Sequence, residues 1–307
     1  DRLRLHATGA LLTRRDVIVG ASGSCIYGLG SPEEFGALSF GVSRGERVGR
    51  DEILRRLVQI QYSRNDVAFE RGMFRVRGDT VELWPAYMEE AIRIELADDE
   101  VDRISVIHPV TGETLRRTET ATIFPSSHFV TSGPKLEEAI GRIETELAGR
   151  LADLNAEGRH FEAKRLETRT KYDLEMLREM GYCPGIENYS RHLSGRSAGE
   201  RPATLLDYFQ GEFLVVIDES HVTVPQIGGM YEGDRSRKTT LVEHGFRLPS
   251  ALDNRPLTFA EFELLVRRMI FVSATPADFE LARSGGELVE QVVRPTGLVD
   301  PAPEVRP

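Results

Sequence analysis

Asp218, Glu219, Ser220 and His221 follow directly on the apolar run Phe213-Leu-Val-Val-Ile217. A continuous run of this kind reads as a strand buried on both faces, which sets the two carboxylates at its carboxyl end. There one carboxylate can hold a partly hydrated Mg²⁺ against phosphate oxygens, and its neighbour can polarise an attacking water. Side chains alternate along an extended chain, so the two acids point differently and suit separate roles. By itself, an acidic pair after a strand is as often an ordinary polar loop. A second apolar run, Met269-Ile-Phe-Val-Ser273, shifts that balance. It ends in Ser273-Ala-Thr275, about fifty residues beyond His221. Small hydroxyls there can bond the acidic loop and register whether phosphate is present.

Alone, Ser-Ala-Thr is a turn in most proteins, but paired with Asp-Glu-Ser-His at this spacing it resembles the superfamily-two helicase core. Such a site also needs a Gly-Lys-Ser or Gly-Lys-Thr loop, whose lysine reaches the β- and γ-phosphates. The only lysines, Lys135, Lys164, Lys171 and Lys238, follow Pro134, Ala163, Thr170 and Arg237. No Gly-Lys pair exists, so ATP and Mg²⁺ are not expected to bind this chain tightly by itself, and it is expected to be inactive as an ATPase. A second motor domain supplying an arginine finger is likewise not evident.

The elements that must position these residues are legible in outline. Residues 1–15 read as a helix. Val17-Ile18-Val19 reads as a short buried strand feeding the small-residue loop Gly20 to Gly30, as at the ligand-binding edge of an open α/β sheet. Residues 51–60 read as a helix with Ile53, Leu54, Leu57, Val58 and Ile60 near one face. From about 62 to 128 the chain becomes strand-rich with one wet face. Phe74-Arg-Val-Arg, Val81-Glu-Leu-Trp and Ile92-Arg-Ile-Glu-Leu96 alternate; Val101 to Ile107 and Ala121 to Phe124 are further strands; Gly78-Asp79, Asp98-Asp99 and Thr111-Gly112 mark turns. Pro134 suits a helix first turn, and Leu136, Ile140, Ile143, Leu147, Leu151 and Leu154 form one apolar stripe in a pattern that runs to Met180 and stops at Gly181. Val289 to Val293 reads as a third strand of the returning α/β part. His108 and His128 read as structural.

Bulk properties set limits. The balance of 39 Lys+Arg against 49 Asp+Glu gives a net charge of −10, so no whole-molecule basic field draws in nucleic acid. The dominance of Arg over Lys fits a GC-rich genome. Cys25 and Cys183 lie far apart and suggest neither a disulfide framework nor a zinc site, which fits a reducing, cytoplasmic setting. No apolar run approaches the ~20 residues that span a membrane. Both ends read as cut, Asp1 inside a helix and Pro307 on an extended segment, so the chain is expected to be a piece of a larger protein.

With these runs laid out, the whole chain closely resembles the UvrB family of bacterial nucleotide excision repair. The resemblance rests on Ala21 to Gly30, Arg64-Asn-Asp66, Arg71 to Asp79, Tyr172-Asp-Leu-Glu175, Gly185 to Arg191, Asp218 to Thr223, Gly245 to Pro256 and Val293 to Leu298. It implies an incomplete RecA-like P-loop helicase domain of α/β class, carrying an inserted strand-rich UvrA-binding domain and a helical subdomain. It divides the chain into 1–50 and 205–300 for the helicase domain, 51–130 for the UvrA-interaction domain, 131–204 for the helical subdomain, and 301–307 as a linker. The family takes damaged DNA from UvrA, verifies the lesion with ATP and recruits UvrC for incision.

Residue roles carry over by position. Asp218 matches the Mg²⁺-linked acid, Glu219 the catalytic base, His221 a coupler of nucleotide state to DNA, and Ser273 and Thr275 motif III. Arg64, Arg75, Arg77, Arg93 and Glu95 match polar contacts to UvrA. Arg75 and Arg77 share one strand face, as do Arg93 and Glu95, and such a face suits docking to an acidic partner, although without the resemblance it would pass for a solvated surface. Arg4, Glu187, Gln226, Phe246 and Arg247 match positions along the DNA strand path, where Arg can hold phosphate and an aromatic can stack on a base; Phe246 could equally be core. Gly23 stands where the family usually has Val. Two other readings are weighed: the similar UvrA-binding unit of a transcription-repair coupling factor, which lacks the continuation into Asp-Glu-Ser-His, and a DNA-binding fragment without enzymatic activity.

Overall fold

The computed structural model describes residues 2–292. The elements are, in order, α1 (Arg2–Thr13), α2 (Pro32–Ala37), β1 (Phe40–Ser43), α3 (Arg50–Gln59), β2 (Ser63–Arg64), β3 (Met73–Arg77), β4 (Thr80–Trp84), β5 (Ala91–Ala97), β6 (Glu100–Ile107), β7 (Thr114–Thr118), β8 (Thr120–Ile123), α4 (Gly133–Ala156), α5 (His160–Met180), α6 (Ser190–Leu193), β9 (Val215–Ile217), α7 (Ser220–Glu243), α8 (Phe259–Leu265), β10 (Met269–Phe271) and α9 (Asp278–Arg283). The chain is therefore of mixed α/β class, with a strand-rich unit and a helical unit set into it.

The strand-rich unit is a six-stranded sheet in the order β2-β3-β4-β5-β6-β7, antiparallel except for the β2–β3 edge. Period-two alternation splits it cleanly. Phe74, Val81, Leu83, Ile92, Ile94 and Ile104 face inward and pack with Ile53 and Leu57 of α3 and with Val42 and Ile123 of the β1–β8 pair. Arg75, Arg77, Glu82, Arg93 and Glu95 fall on the opposite face by register. Two expectations change here. The 121–124 segment forms a strand, but it pairs with β1 outside this sheet. Val58 is 57% exposed, because the face of α3 that meets the sheet is the Ile53–Leu57 side.

In the helical unit, Ile140, Ile143, Leu147 and Leu154 of α4 are buried against Leu166, Leu174 and Leu177 of α5, so the apolar stripe is a helix–helix seam. α5 ends at Gly181 in the left-handed conformation, φ 66°, which glycine adopts without steric cost. Cys183 is buried beneath it, and burial pushes its thiol up to about 12; both cysteines are free.

The α/β remainder departs most from expectation. β9 and β10 form a two-stranded parallel sheet. Val216 is 57% exposed and Ile270 48%, so the strand ending in Asp218 is not buried on both faces. Only one side carries a core, built with Val224, Ile227, Leu257, Phe262 and Val266. Val17-Ile18-Val19 is not a strand, and Ile18 is fully exposed. A strand needs a neighbour to satisfy its backbone groups, and no described segment pairs with these residues. Residues 289–292 are not extended into a strand; Val293, the 293–298 stretch and the 301–307 linker lie outside the described residues.

An aromatic cluster joins the parts. Phe35 stacks on Phe124 at 5.7 Å and on His128 at 5.4 Å, with Tyr208 edge-on. His128 is buried and its Nε2 lies 3.1 Å from Thr8 Oγ1. Burial first, then the Arg4 charge, lowers its pKa from 6.5 to about 4. The folded protein thus holds His128 neutral where the unfolded chain would protonate it. The associated stability is fully present above pH 6.5 and is lost as pH falls toward 4, to the extent of about 3 kcal/mol. Urea melts between pH 7 and pH 4 should show this slope, and His128→Gln should flatten it; an unchanged slope in the variant would place the acid sensitivity elsewhere.

Candidate functional site

The acidic turn is built by β9 and α7. Ile217 accepts from the Val272 amide at 2.9 Å and the Ser220 amide donates to the Val272 carbonyl at 3.0 Å, so the two strand ends are held side by side. Asp218 and Glu219 are exposed. The Glu219 amide donates to Asp218 Oδ1 at 3.0 Å, and Thr223 Oγ1 donates to the Asp218 carbonyl at 2.8 Å. Glu219 has φ 44°, one of three non-glycine residues with positive φ among those described. Holding such a residue there costs roughly 1–3 kcal/mol, and strain of this kind concentrates at functional sites.

His221 Nδ1 lies 2.8 Å from Ser273 Oγ, and Ser273 Oγ also accepts from the Thr275 amide at 3.0 Å. His221 further sits 3.6 Å from Glu219. The structure therefore brings together all five sequence-selected residues of this site. Behind them, Ser220 Oγ donates to the buried Glu280 at 2.7 Å, and the Ala277 amide donates to the other Glu280 oxygen at 3.1 Å. Burial opposes ionisation of Glu280, but these donors hold its carboxyl below the usual range. Glu280 thus ties the acidic turn to the segment after Ser273-Ala-Thr275. Sequence reasoning missed it; its only signal is its place three residues after Ala277 at a helix start.

As a cation site this turn offers one exposed carboxylate beside another. No cluster of three metal-ligating side chains occurs among the described residues. That fits Mg²⁺, which keeps waters and borrows phosphate oxygens, and does not fit an all-protein metal cage. On the phosphate side, none of the four lysines follows a glycine, and Lys238 is paired with Asp234 at 2.9 Å.

On the outer face of the six-stranded sheet, Glu82 is 5% exposed between two arginines. Arg75 Nε donates to one oxygen at 2.5 Å and Arg93 Nε to the other at 2.7 Å. Burial raises the Glu82 pKa, but the two guanidiniums outweigh it and hold the carboxyl below the usual range. Arg75 also lies 4.3 Å over the Phe69 ring, and Arg103 reaches Glu95 at 3.5 Å. Arg75, Arg77, Arg93 and Glu95 line one shallow depression with Thr80 and Glu82. Arg64 does not join them. It pairs with Phe74 in register, bonds Asp66 at 2.9 Å, and lines a separate cleft. Glu82 was the residue missed here: in an alternating strand it passes for one more solvated acid.

A family model described as UvrB interaction domain matches residues 40–129, and one described as UvrB third helical domain matches residues 134–195. UvrABC system protein B of Gemmatimonas aurantiaca is 62% identical over the whole chain, that of Thermobifida fusca 60%, and that of Leptospira biflexa 58% over 308 aligned positions. The chain belongs to the UvrB family. It spans less than half of these relatives, 44% of the first two and 46% of the third. The alternative of a coupling-factor module is not favoured by UvrB relatives that match across every residue.

The positions matched to the UvrB strand path are only partly assembled. Arg4 and Glu187 line a common cleft of about 1080 Å³ with Arg64, Tyr27 and Tyr182. Gln226 lies on α7 beside Gly23; a Cβ there would meet the Gln226 amide oxygen at 4.0 Å and the Met230 sulfur at 3.5 Å. Phe246 and Arg247 follow the far end of α7. Phe246 is 45% exposed, not core, with Arg165 4.2 Å over its ring.

Proposed function

We propose that this chain supplies the UvrA-docking face and the acidic side of the nucleotide site of a UvrB subunit. In that reading the parent protein takes damaged DNA from UvrA, verifies the lesion with ATP and Mg²⁺ in the bacterial cytoplasm, and recruits UvrC. The domain division is the one given by the resemblance, with the interaction domain over 51–130 and the helical subdomain over 131–204. Asp218 would hold a hydrated Mg²⁺, which would neutralise phosphate charge there, Glu219 would orient the attacking water, and His221 with Ser273 and Thr275 would relay the state of that site. Arg4, Glu187, Gln226, Phe246 and Arg247 hold the DNA strand. No helix among the described residues is long and apolar enough to cross a membrane.

The observation that carries this reading is the outer face with Arg75, Arg77, Arg93 and Glu95 set around Glu82 on a UvrB interaction domain. The chain is expected to capture purified UvrA in a pull-down, with capture weakening as salt rises from 50 to 300 mM on the order expected for exposed charge pairs. Folded chain that retains no UvrA at low salt contradicts the docking role. Turnover of ATP by this chain, abolished by Glu219→Gln, would contradict the expectation that it is inactive alone.

A further inference from the structure

The outer face of the sheet continues past the positions that the family resemblance selects. Register extends the first row from Arg75 on β3 through Glu82 on β4 and Arg93 on β5 to Ser105 on β6 and Arg117 on β7. The second row runs from Arg77 through Thr80 and Glu95 to Arg103. Aligned residues share a face, so Arg103 and Arg117 lie on the same surface as Arg75 and Arg93. Counting both rows, five arginines face two glutamates. The acids are consumed within the face, Glu82 by Arg75 and Arg93 and Glu95 by Arg103. Arg117 is exposed and forms no ion pair among the described residues.

We propose that the docking surface of the interaction domain runs across all five strands β3 to β7, with Arg103 and Arg117 as contact residues, and that its partner is an acidic protein surface. The proposal deepens the docking reading above and rests on it. In the first row cations occupy every second strand. At about 4.8 Å between strands, Arg75, Arg93 and Arg117 stand roughly 10 Å apart, and the partner must present carboxylates at matching intervals. The buried Glu82 keeps Arg75 and Arg93 in fixed positions, so their side chains lose less freedom on docking. Phe69 and Trp84, 5.9 Å apart, stand at the Arg75 end, each under an arginine. Aromatic and arginine side chains together are what interface centres favour.

The neighbouring Arg116 supplies an internal control. It pairs in register with the inward-facing Val106, so it lies on the other side of β7, and like Arg117 it is exposed. The test is UvrA affinity of the 307-residue chain and of its variants Arg75→Glu, Arg103→Glu, Arg117→Glu and Arg116→Glu, each checked for an unchanged melting curve. Should a glutamate variant melt early, Arg75→Glu first among them because it faces the buried Glu82, the serine variant at the same position replaces it. Arg117→Glu and Arg103→Glu are expected to weaken binding about five- to tenfold and to flatten its salt dependence, while Arg116→Glu stays within about twofold. If Arg75→Glu weakens binding and Arg117→Glu and Arg103→Glu do not, the extension is overturned and the docking reading stands. If Arg116→Glu weakens it as much as Arg117→Glu, overall charge and not this face is responsible, and the extension is again overturned. If neither Arg75→Glu nor Arg117→Glu has an effect, the docking reading itself fails.

Discussion

Gly245→Ala is expected to destabilise the chain by about 3 kcal/mol or more, summing left-handed backbone strain and a steric clash. Gly245 has φ 68°, and a Cβ built on it would sit 2.9 Å from both the Cα and the carbonyl carbon of Glu162. Both obstacles are backbone, so no rotamer change relieves them. The contact matters because it is where the end of α7 meets the start of α5. Arg159 donates to the Glu243 carbonyl and Arg165 Nη1 to the His244 carbonyl at 2.8 Å, which satisfies the free carbonyls of the α7 terminus. Arg165 also covers Phe246. Prying this junction open would displace Phe246 and Arg247 together. A melting midpoint within a degree of the parent would show that the two helices separate without cost, and the junction would not be what holds these residues.

Glu146→Ala is expected to cost about 3 kcal/mol, near the lower end for breaking a buried charge cluster by removing one member. Glu146 on α4 receives the Ser250 amide at 2.8 Å on Oε1, with Arg191 at 3.4 Å, and lies 2.6 Å from His192 Nε2 on Oε2. Arg191 continues to Asp253 at 2.8 Å, and Asp253 accepts the Gly199 amide at 3.0 Å. Burial alone would raise the Glu146 pKa, but His192 and the Ser250 amide hold it below the usual range. Its stabilisation is therefore present at neutral pH and fades as pH falls through the carboxylate range. One carboxylate here fastens the helical unit to residues 249–253. In the alanine variant, amide hydrogen exchange should rise together over 190–193 and 249–253. A rise confined to α4 would argue that the cluster is not cooperative. A double-mutant cycle with Asp253→Ala should give a coupling above roughly 0.5 kcal/mol.

Much of this architecture was legible because its elements bury one face. The Leu136-to-Leu154 stripe became the α4–α5 seam, and the alternating strands 74–77, 81–84 and 92–96 became the centre of the sheet. β7 escaped notice because Thr114-Leu-Arg-Arg-Thr is an exposed edge with no apolar alternation to betray it. Val17-Ile-Val19 misled for the converse reason: apolar content signals a wish for burial, whereas a strand also requires a pairing neighbour. The Phe213–Ile217 run shows the same gap, since Val216 faces outward on a two-stranded sheet. At the site, spacing sufficed to join His221 to Ser273. Glu82, Glu146 and Glu280 could not be found that way, because what makes each important is the donors that other elements bring to it.

α7 runs from the acidic turn to Glu243, three residues short of Phe246, and its 24 residues make a rod of about 36 Å. Its one internal proline, Pro225, stands a single turn from His221 and removes the bond that would lock that turn. A rod hinged near one end amplifies: a tilt of about 5° at Pro225 carries the distal terminus roughly 2–3 Å, the width of a hydrogen bond. A tilt of that size would have to break the hydrogen bonds from Arg159 and Arg165 that hold the α7 terminus against α5, so the junction at Gly245 limits how far the rod can swing.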